Sequence, residues 1–213
     1  MGGKRFAVLL CAEDSEYVTK MYGGYFGVFV RMLAEEGEAW SVYRVVSGEF
    51  PEDDEIDTFD GFVITGSCND AHSNDILCRA LGGKTGRATS GWDIGIKTIN
   101  FSASWRLSSS VKTPAALSVI ECHRDEVKEL PPRAEVIAWS DKTGIEMFRC
   151  GDHAMGIQGH PEYTKDILLH LINRLLRCNF ITDSYAEEIK ANLEGTEPDR
   201  EAWKKLCINF LKG

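Results

Sequence analysis

Basic residues are scarce in this chain: 24 Lys and Arg stand against 33 Asp and Glu, a net charge of -9 over 213 residues. Nucleic-acid and anionic-membrane surfaces need clustered Lys and Arg, so this balance argues against both as partners. No apolar run approaches the ~20 residues of a membrane span. The run 6–10 that follows Met1-Gly2-Gly3-Lys4-Arg5 is too short for a signal-peptide core and reads as a first strand. No CxxC pair occurs, and the seven cysteines (11, 68, 78, 122, 150, 178 and 207) are odd in number and irregularly spaced. That excludes a disulfide framework and predicts reduced thiols, mostly small buried hydrophobes, in a cytosolic protein. There are no repeats and no low-complexity segments. A phosphate loop is missing as well: Gly82-Gly83-Lys84-Thr85-Gly86-Arg87 imitates one, but Cys78 stands where its first glycine belongs. A helix C-cap at Gly82-Gly83 is the simpler reading.

What the chain does have is an ordinary globular composition, 43% hydrophobic and 27% charged, and enough length to bury a core. Early on, strand and helix signals alternate. Residues 6–10 read as a buried strand. Residues 25–36 carry Phe26, Phe29, Val30 and Leu33 at helical spacing, with Gly37 as C-cap. Residues 41–46 are β-rich, the acidic run 52–57 is a loop or short helix, and 62–64 form a short strand. This order predicts a mostly parallel α/β sheet. From Trp92 on, short strands follow closely at 94–99, 117–122, 136–139, 145–148 and 155–158, predicting a mixed or antiparallel section. The end is helical. Ile167, Leu168, Leu171, Ile172, Leu175 and Leu176 make an apolar stripe of 3.6 period, then come helices capped by Asp183 and opened near Pro198.

The densest chemical signal is Gly159-His160-Pro161-Glu162, between a strand and the striped helix. Pro161 keeps His160 out of helical geometry and so holds the imidazole at a strand end, where α/β sheets place their sites. Glu162 is close enough to accept a hydrogen bond from one ring nitrogen, leaving the other as a base. These are two members of a nucleophile–base–orienter triad. Spacing alone leaves open a second reading, a capping His beside a helix N-terminal Glu that suits the macrodipole.

Cys122-His123-Arg124-Asp125-Glu126 also follows a strand. Adjacent strand residues point to opposite faces, so Cys122 and His123 do not pair with each other, and a structural or substrate-contact turn is the favoured reading. Cys122, His123 and His153 lack a recognised metal-ligand spacing, and nothing in the sequence points to a metal or a cofactor. The turn Thr65-Gly66-Ser67 after the strand 62–64 could offer backbone N–H groups to an anion.

Taken together, these segments resemble the class I glutamine amidotransferase-like family, and within it the plant γ-glutamyl peptidases. The resemblance rests on Asp14-Ser15-Glu16-Tyr17-Val18, Tyr22-Gly23-Gly24-Tyr25, Arg44-Val45-Val46-Ser47-Gly48-Glu49-Phe50-Pro51, Phe59-Asp60-Gly61-Phe62-Val63-Ile64, Glu121-Cys122-His123-Arg124-Asp125-Glu126-Val127, Gly156-Ile157-Gln158-Gly159-His160-Pro161-Glu162-Tyr163 and Phe210-Leu211-Lys212-Gly213. It implies one domain over residues 1–213: an α/β three-layer sandwich, flavodoxin-like, with an antiparallel section and C-terminal helices. It also implies a Cys-His-Glu triad with His160 as general base and Glu162 as its orienter. Gly66 and Ser67 fall in the oxyanion loop, and Cys122, His123 and Arg124 where the family binds the γ-glutamyl head. The implied activity is hydrolysis of a γ-glutamyl bond in glutathione or its conjugates, a small-molecule substrate. Glutaminase action within an amidotransferase and a non-catalytic γ-glutamyl binder are the alternatives.

The chain departs from this pattern at its centre. The family's nucleophile elbow, Gly-x-Cys-x-Gly, does not occur. The sequence on either side implies that a helix, a strand and the elbow, on the order of 30 residues, are missing between 75 and 76. Parallel strands need crossovers of about a dozen residues or more, so nothing present fills that place. Cys78 is expected inside a helix and Cys68 in the oxyanion loop, neither in the nucleophile's position.

Overall fold

The computed structural model describes residues 3–66, 76–108 and 112–213. In chain order the elements are β1 (Arg5–Leu9), α1 (Glu16–Tyr22), α2 (Gly24–Leu33), β2 (Ala39–Tyr43), α3 (Asp53–Ile56), β3 (Gly61–Ile64), α4 (Ile76–Ala80), β4 (Lys84–Arg87), β5 (Asp93–Phe101), α5 (Ala103–Ser108), β6 (Ala116–His123), β7 (Asp125–Glu129), β8 (Ala134–Trp139), β9 (Met147–Cys150), β10 (Ala154–Ile157), α6 (Lys165–Arg177), α7 (Asp183–Leu193) and α8 (Arg200–Lys212). The α/β class is as expected. Three parallel strands run in the order β2-β1-β3, and an antiparallel sheet runs β10-β9-β8-β5-β6, with β4-β7 as a separate pair. The antiparallel sheet consists of the five strands expected after Trp92, and only the β4–β7 pair was not anticipated.

β1 is the buried centre of the parallel sheet: Phe6, Ala7 and Val8 are inaccessible. Helices α6 and α7 cover one side, packing Ile167, Leu168, Ile172, Ala186 and Ile189 against Val8, Ile94 and Ile120. On the other side α8 brings Trp203 and Leu206 to Ile99, Leu117 and Val119. The Trp203 indole N–H donates to the Ser118 carbonyl at 3.0 Å, while the Ser118 N–H donates to Asp199 at 2.7 Å. This exchange fastens α8 to β6.

Several boundaries differ from the sequence reading, each for a local reason. Helix α2 stops at Leu33, with Ala34 rather than Gly37 as its C-cap. The Glu38 carboxylate accepts the Glu35 N–H at 2.8 Å, and Gly37 serves the following turn with φ +86°. β2 ends at Tyr43 because Val45–Ser47 wind into a 3-10 turn closed by Gly48. Thr182, not Asp183, caps α7, its hydroxyl accepting the Tyr185 N–H. Pro198 precedes the cap Asp199 instead of opening α8. The Gly82-Gly83 C-cap is as expected: Gly82 has φ +93°, and the Gly83 N–H donates to the Cys78 carbonyl at 2.9 Å.

The Tyr-Gly-Gly-Tyr run has a clear physical basis. Gly23 and Gly24 both have positive φ, ending α1 and starting α2 without a break. Asp14 accepts the Tyr25 N–H at 2.6 Å, and a Cβ on Gly24 would lie 2.4 Å from that carboxylate. Only glycine permits this approach.

Candidate active site

The Gln158–Glu162 loop is stitched to two neighbouring segments. The Gln158 N–H donates to the Glu146 carbonyl at 2.8 Å, and the His160 N–H to the Ile120 carbonyl at 2.7 Å. Gly159 is needed because an added Cβ would lie 2.4 Å from Glu121 Oε1. The chain then turns over Pro161, with the Tyr163 N–H donating to the His160 carbonyl at 3.2 Å.

This turn brings His160 Nδ1 within 2.9 Å of Glu162 Oε1. The Glu162 side chain is buried and the imidazole is 17% exposed. A carboxylate can only accept, so Nδ1 carries the proton and Nε2 keeps its lone pair for use as a base. The imidazole also stacks on Tyr163, with centroids 4.0 Å apart and planes within 3°. Tyr163 in turn faces Tyr25 across 6.0 Å, so the Tyr-Gly-Gly-Tyr segment braces the base from behind.

Gly66, just past β3, comes close to the ring: a Cβ there would sit 3.5 Å from His160 Cε1. Its neighbour Thr65 is buried, and its hydroxyl accepts the Cys11 N–H at 3.0 Å. The ends of β1, β3 and β10 thus converge on His160. Ser67 lies outside the described residues, as does Cys68. Cys122 and Arg124 are half-buried. His123 is turned inward: it is buried, its Nδ1–H donates to the Asp125 carbonyl at 2.8 Å, and its Nε2 lies 3.3 Å from Glu121. The sequence reading placed Cys122 and His123 on opposite faces, and the strand geometry of β6 does so.

Six cysteines fall among the described residues, all as free thiols. Cys78 is buried in α4 with its thiol directed at the Glu129 carbonyl, and Cys178 is exposed at the end of α6. Cys11 sits beside Thr65, but burial pushes its thiol up. Cys207 on α8 lies near Glu162, and burial with that carboxylate pushes its thiol up to about 12. An activated nucleophile needs the opposite, a thiol whose pKa is lowered.

Sequence reasoning passed over Asp93, Glu121 and Glu146, all buried. The signal was present for one of them. Glu121 is a charge inside the apolar run 117–121, and His123 follows two residues later on the same face of the strand.

The Glutamine amidotransferase class-I family model matches residues 72–172. Gamma-glutamyl peptidase 5 of Arabidopsis thaliana is 42% identical over 246 aligned residues, covering 99% of this chain and 96% of that protein. The chain belongs to the class I glutamine amidotransferase-like family, with the γ-glutamyl peptidases. Gamma-glutamyl peptidase 3 of the same plant is 41% identical, covering 99% of this chain and 97% of its own. The fold agrees with solved members of the family. A glutamine amidotransferase from Thermotoga maritima superposes with a TM-score of 0.65 at 18% identity, covering 100% of this chain and 98% of its own. One from Methylobacillus flagellatus gives a TM-score of 0.67 at 16% identity, covering 99% and 93%. An alignment of 246 positions exceeds a chain of 213 residues by 33, so at least that many positions of the first peptidase face a gap here. Among the described residues, no helix is long and apolar enough to cross a membrane.

Proposed function

We propose that this is the site of a γ-glutamyl hydrolase for glutathione or its conjugates, and that this chain lacks the nucleophile and so binds such ligands without cleaving them. The observation that carries the reading is the His160–Glu162 pair at 2.9 Å, a held base whose neighbouring thiols Cys11 and Cys207, among the described residues, are both pushed up rather than lowered. In the complete chemistry a cysteine thiol gives its proton to His160 Nε2 as its sulfur attacks the γ-carbonyl; the imidazolium then returns that proton to the departing amine as the C–N bond breaks and the thioester forms. Glu162 holds the imidazole through Nδ1–H, and N–H groups at Gly66 and Ser67 receive the oxyanion. Water then releases glutamate from the thioester. Cys122 and Arg124 meet the γ-glutamyl head, and His123 anchors that turn from inside.

We place the family gap between 75 and 76, in the position of the elbow. One structural observation supports this. Among the described residues β3 pairs only with β1, leaving an edge whose apolar side chains are half-buried and whose Ile64 is 38% exposed. Parallel strands are ordinarily covered on both faces and flanked on both sides, and the absent strand would lie there.

The test has two arms on purified protein. Intact mass near 23.8 kDa is expected; a mass higher by roughly 3 kDa, the size of the segment inferred from the crossover argument, would restore the nucleophile. Calorimetry should then record binding of glutathione or an S-conjugate, with no glutamate released. Turnover that is lost in His160→Ala would mean that one of the thiols present acts as nucleophile. Preference for free glutamine over glutathione conjugates would favour the glutaminase reading, and no binding to either would end the ligand reading.

A further inference from the structure

Behind the active-site loop lies a second cluster that the hydrolase chemistry does not use. Asp93 opens β5 and stands directly opposite His123, the last residue of β6, in antiparallel register. Glu121 lies two residues before His123, on the same face of β6. Glu146 enters from the connection between β8 and β9, held by its N–H to the Ala138 carbonyl at 3.0 Å. One donor atom each from Asp93, His123 and Glu146 falls within 4.8 Å of the others. All four side chains are buried, with Glu121 at 0% and Glu146 at 1% exposure.

The cluster has acceptors and almost no donors. By strict geometry the carboxylate oxygens of Asp93, Glu121 and Glu146 and His123 Nε2 lack a hydrogen bond; the nearest groups are the Ser140 side chain beside Glu146 and His123 Nε2 itself beside Glu121. The orientation of His123 is fixed. Its Nδ1–H is spent on the Asp125 carbonyl, so in the neutral ring Nε2 is a lone pair aimed at Glu121 Oε2, 3.3 Å away. Two lone pairs facing each other in a dry interior repel unless a cation or a proton stands between them. Lys97 and Lys142 come no nearer than 3.9 Å and 4.0 Å, and only to Asp93 Oδ1. An imidazole whose other nitrogen donates to a backbone carbonyl is the usual arrangement of a metal-bound histidine.

We propose that Asp93, His123 and Glu146, with Glu121 as fourth donor, form a binding site for a first-row divalent cation of the Zn²⁺ type. One imidazole nitrogen and carboxylate oxygens suit Zn²⁺, whereas Mg²⁺ and Ca²⁺ favour all-oxygen sets. The site is closed by protein and its role is structural. It joins β5, β6 and the β8–β9 connection, and through Glu121 it lies against Gly159 and so sets the loop that carries His160.

The experiment is titration of ZnCl₂ into chelator-treated protein, read by calorimetry and by thermal melting. One equivalent of Zn²⁺ should bind, with a Tm that rises with free Zn²⁺. In His123→Gln and Glu146→Gln the affinity should fall by roughly tenfold or more, since loss of even an outer partner of a metal site costs that much. Co²⁺ in the unaltered protein keeps the test decisive where a variant does not fold. An absorption spectrum without a thiolate-to-cobalt band, at one equivalent, supports the nitrogen–oxygen site. Absence of stoichiometric binding would overturn the proposal and leave protons, with Lys97 and Lys142 beside Asp93, as the neutralising charge. Unchanged affinity in folded variants, or a thiolate band, would overturn it in favour of cysteine. None of these readouts depends on γ-glutamyl binding or turnover.

Discussion

The imidazole of His160 lies flat on the ring of Tyr163, 4.0 Å away, while Glu162 holds its Nδ1 at 2.9 Å. One contact fixes the plane of the ring and the other fixes its tautomer. The base is therefore preorganised without any substrate. Replacing Glu162 with Gln should keep the fold and let the amide donate to Nδ1, so that the proton moves to Nε2. Nitrogen-15 NMR of the His160 ring should report that change of tautomer. An unchanged tautomer in Glu162→Gln would remove Glu162 from its orienting role.

Gly24→Ala and Gly23→Ala should differ in cost although both positions have positive φ. At Gly23 the added methyl meets open space, so the expense is about 1–2 kcal/mol of left-handed backbone strain. At Gly24 it also strikes Asp14 and displaces the acceptor of the Tyr25 N–H. Thermal melts should place Gly24→Ala clearly below Gly23→Ala.

Trp203 is the largest fully buried side chain, and its N–H is spent on Ser118. Trp203→Ala should destabilise by about 3–5 kcal/mol, within the range for large aromatic truncations in a core. Denaturant unfolding measures this directly, and a loss under about 1 kcal/mol would contradict the packing of α8 on β6.

Acid should weaken the junction between α8 and the turn after α2. Burial pushes the Glu38 carboxyl up, but hydrogen bonds from Lys212, the Glu35 N–H and Trp40 outweigh it and hold the group below its ordinary value. A depressed carboxyl contributes stability that is complete above the unfolded value, about 4.3 for Glu, and is lost as pH falls through the folded value. Lys212→Met should therefore be less stable than the parent at pH 7, with the pH-dependent part of the gap closing below about pH 4. A gap that stays constant with pH would mean that Lys212 acts by packing alone.

The open edge of β3 should reveal itself in solution. Among the described residues one edge of β3 has no partner strand and Ile64 is exposed there, and such an edge invites pairing with other chains. The protein should bind a hydrophobic dye in its native state and self-associate with rising concentration, whereas a form carrying the strand proposed for that edge should do neither. Clean monomeric behaviour without dye binding would argue that the edge is covered.

Much of the fold was legible because its elements announce themselves locally. The continuous apolar runs 6–10 and 62–64 marked β1 and β3, and the 3.6 period from Ile167 to Leu176 marked α6. Boundaries were less legible where distant groups intervene. Glu38 ends α2 early by taking the Glu35 N–H, and Ser118, 81 residues away in sequence, engages Asp199 ahead of α8. The pairing of β4 with β7 was hidden, because Lys84–Arg87 has no alternation of its own and is held by a partner about 40 residues away.

The same division holds for the site. By itself the sequence put His160 and Glu162 within reach of each other around a proline at a strand end, and the structure decided between pairing and capping. The sequence also shows that the Gly-x-Cys-x-Gly pattern does not occur in this chain, and no folding can supply it. Tertiary structure alone decided that Tyr163 and Gly66 flank the imidazole, that His123 turns inward, and that Asp93, Glu121 and Glu146 gather around it. Those contacts join segments far apart in the chain, and their geometry follows from strand register and sheet packing rather than from local preference.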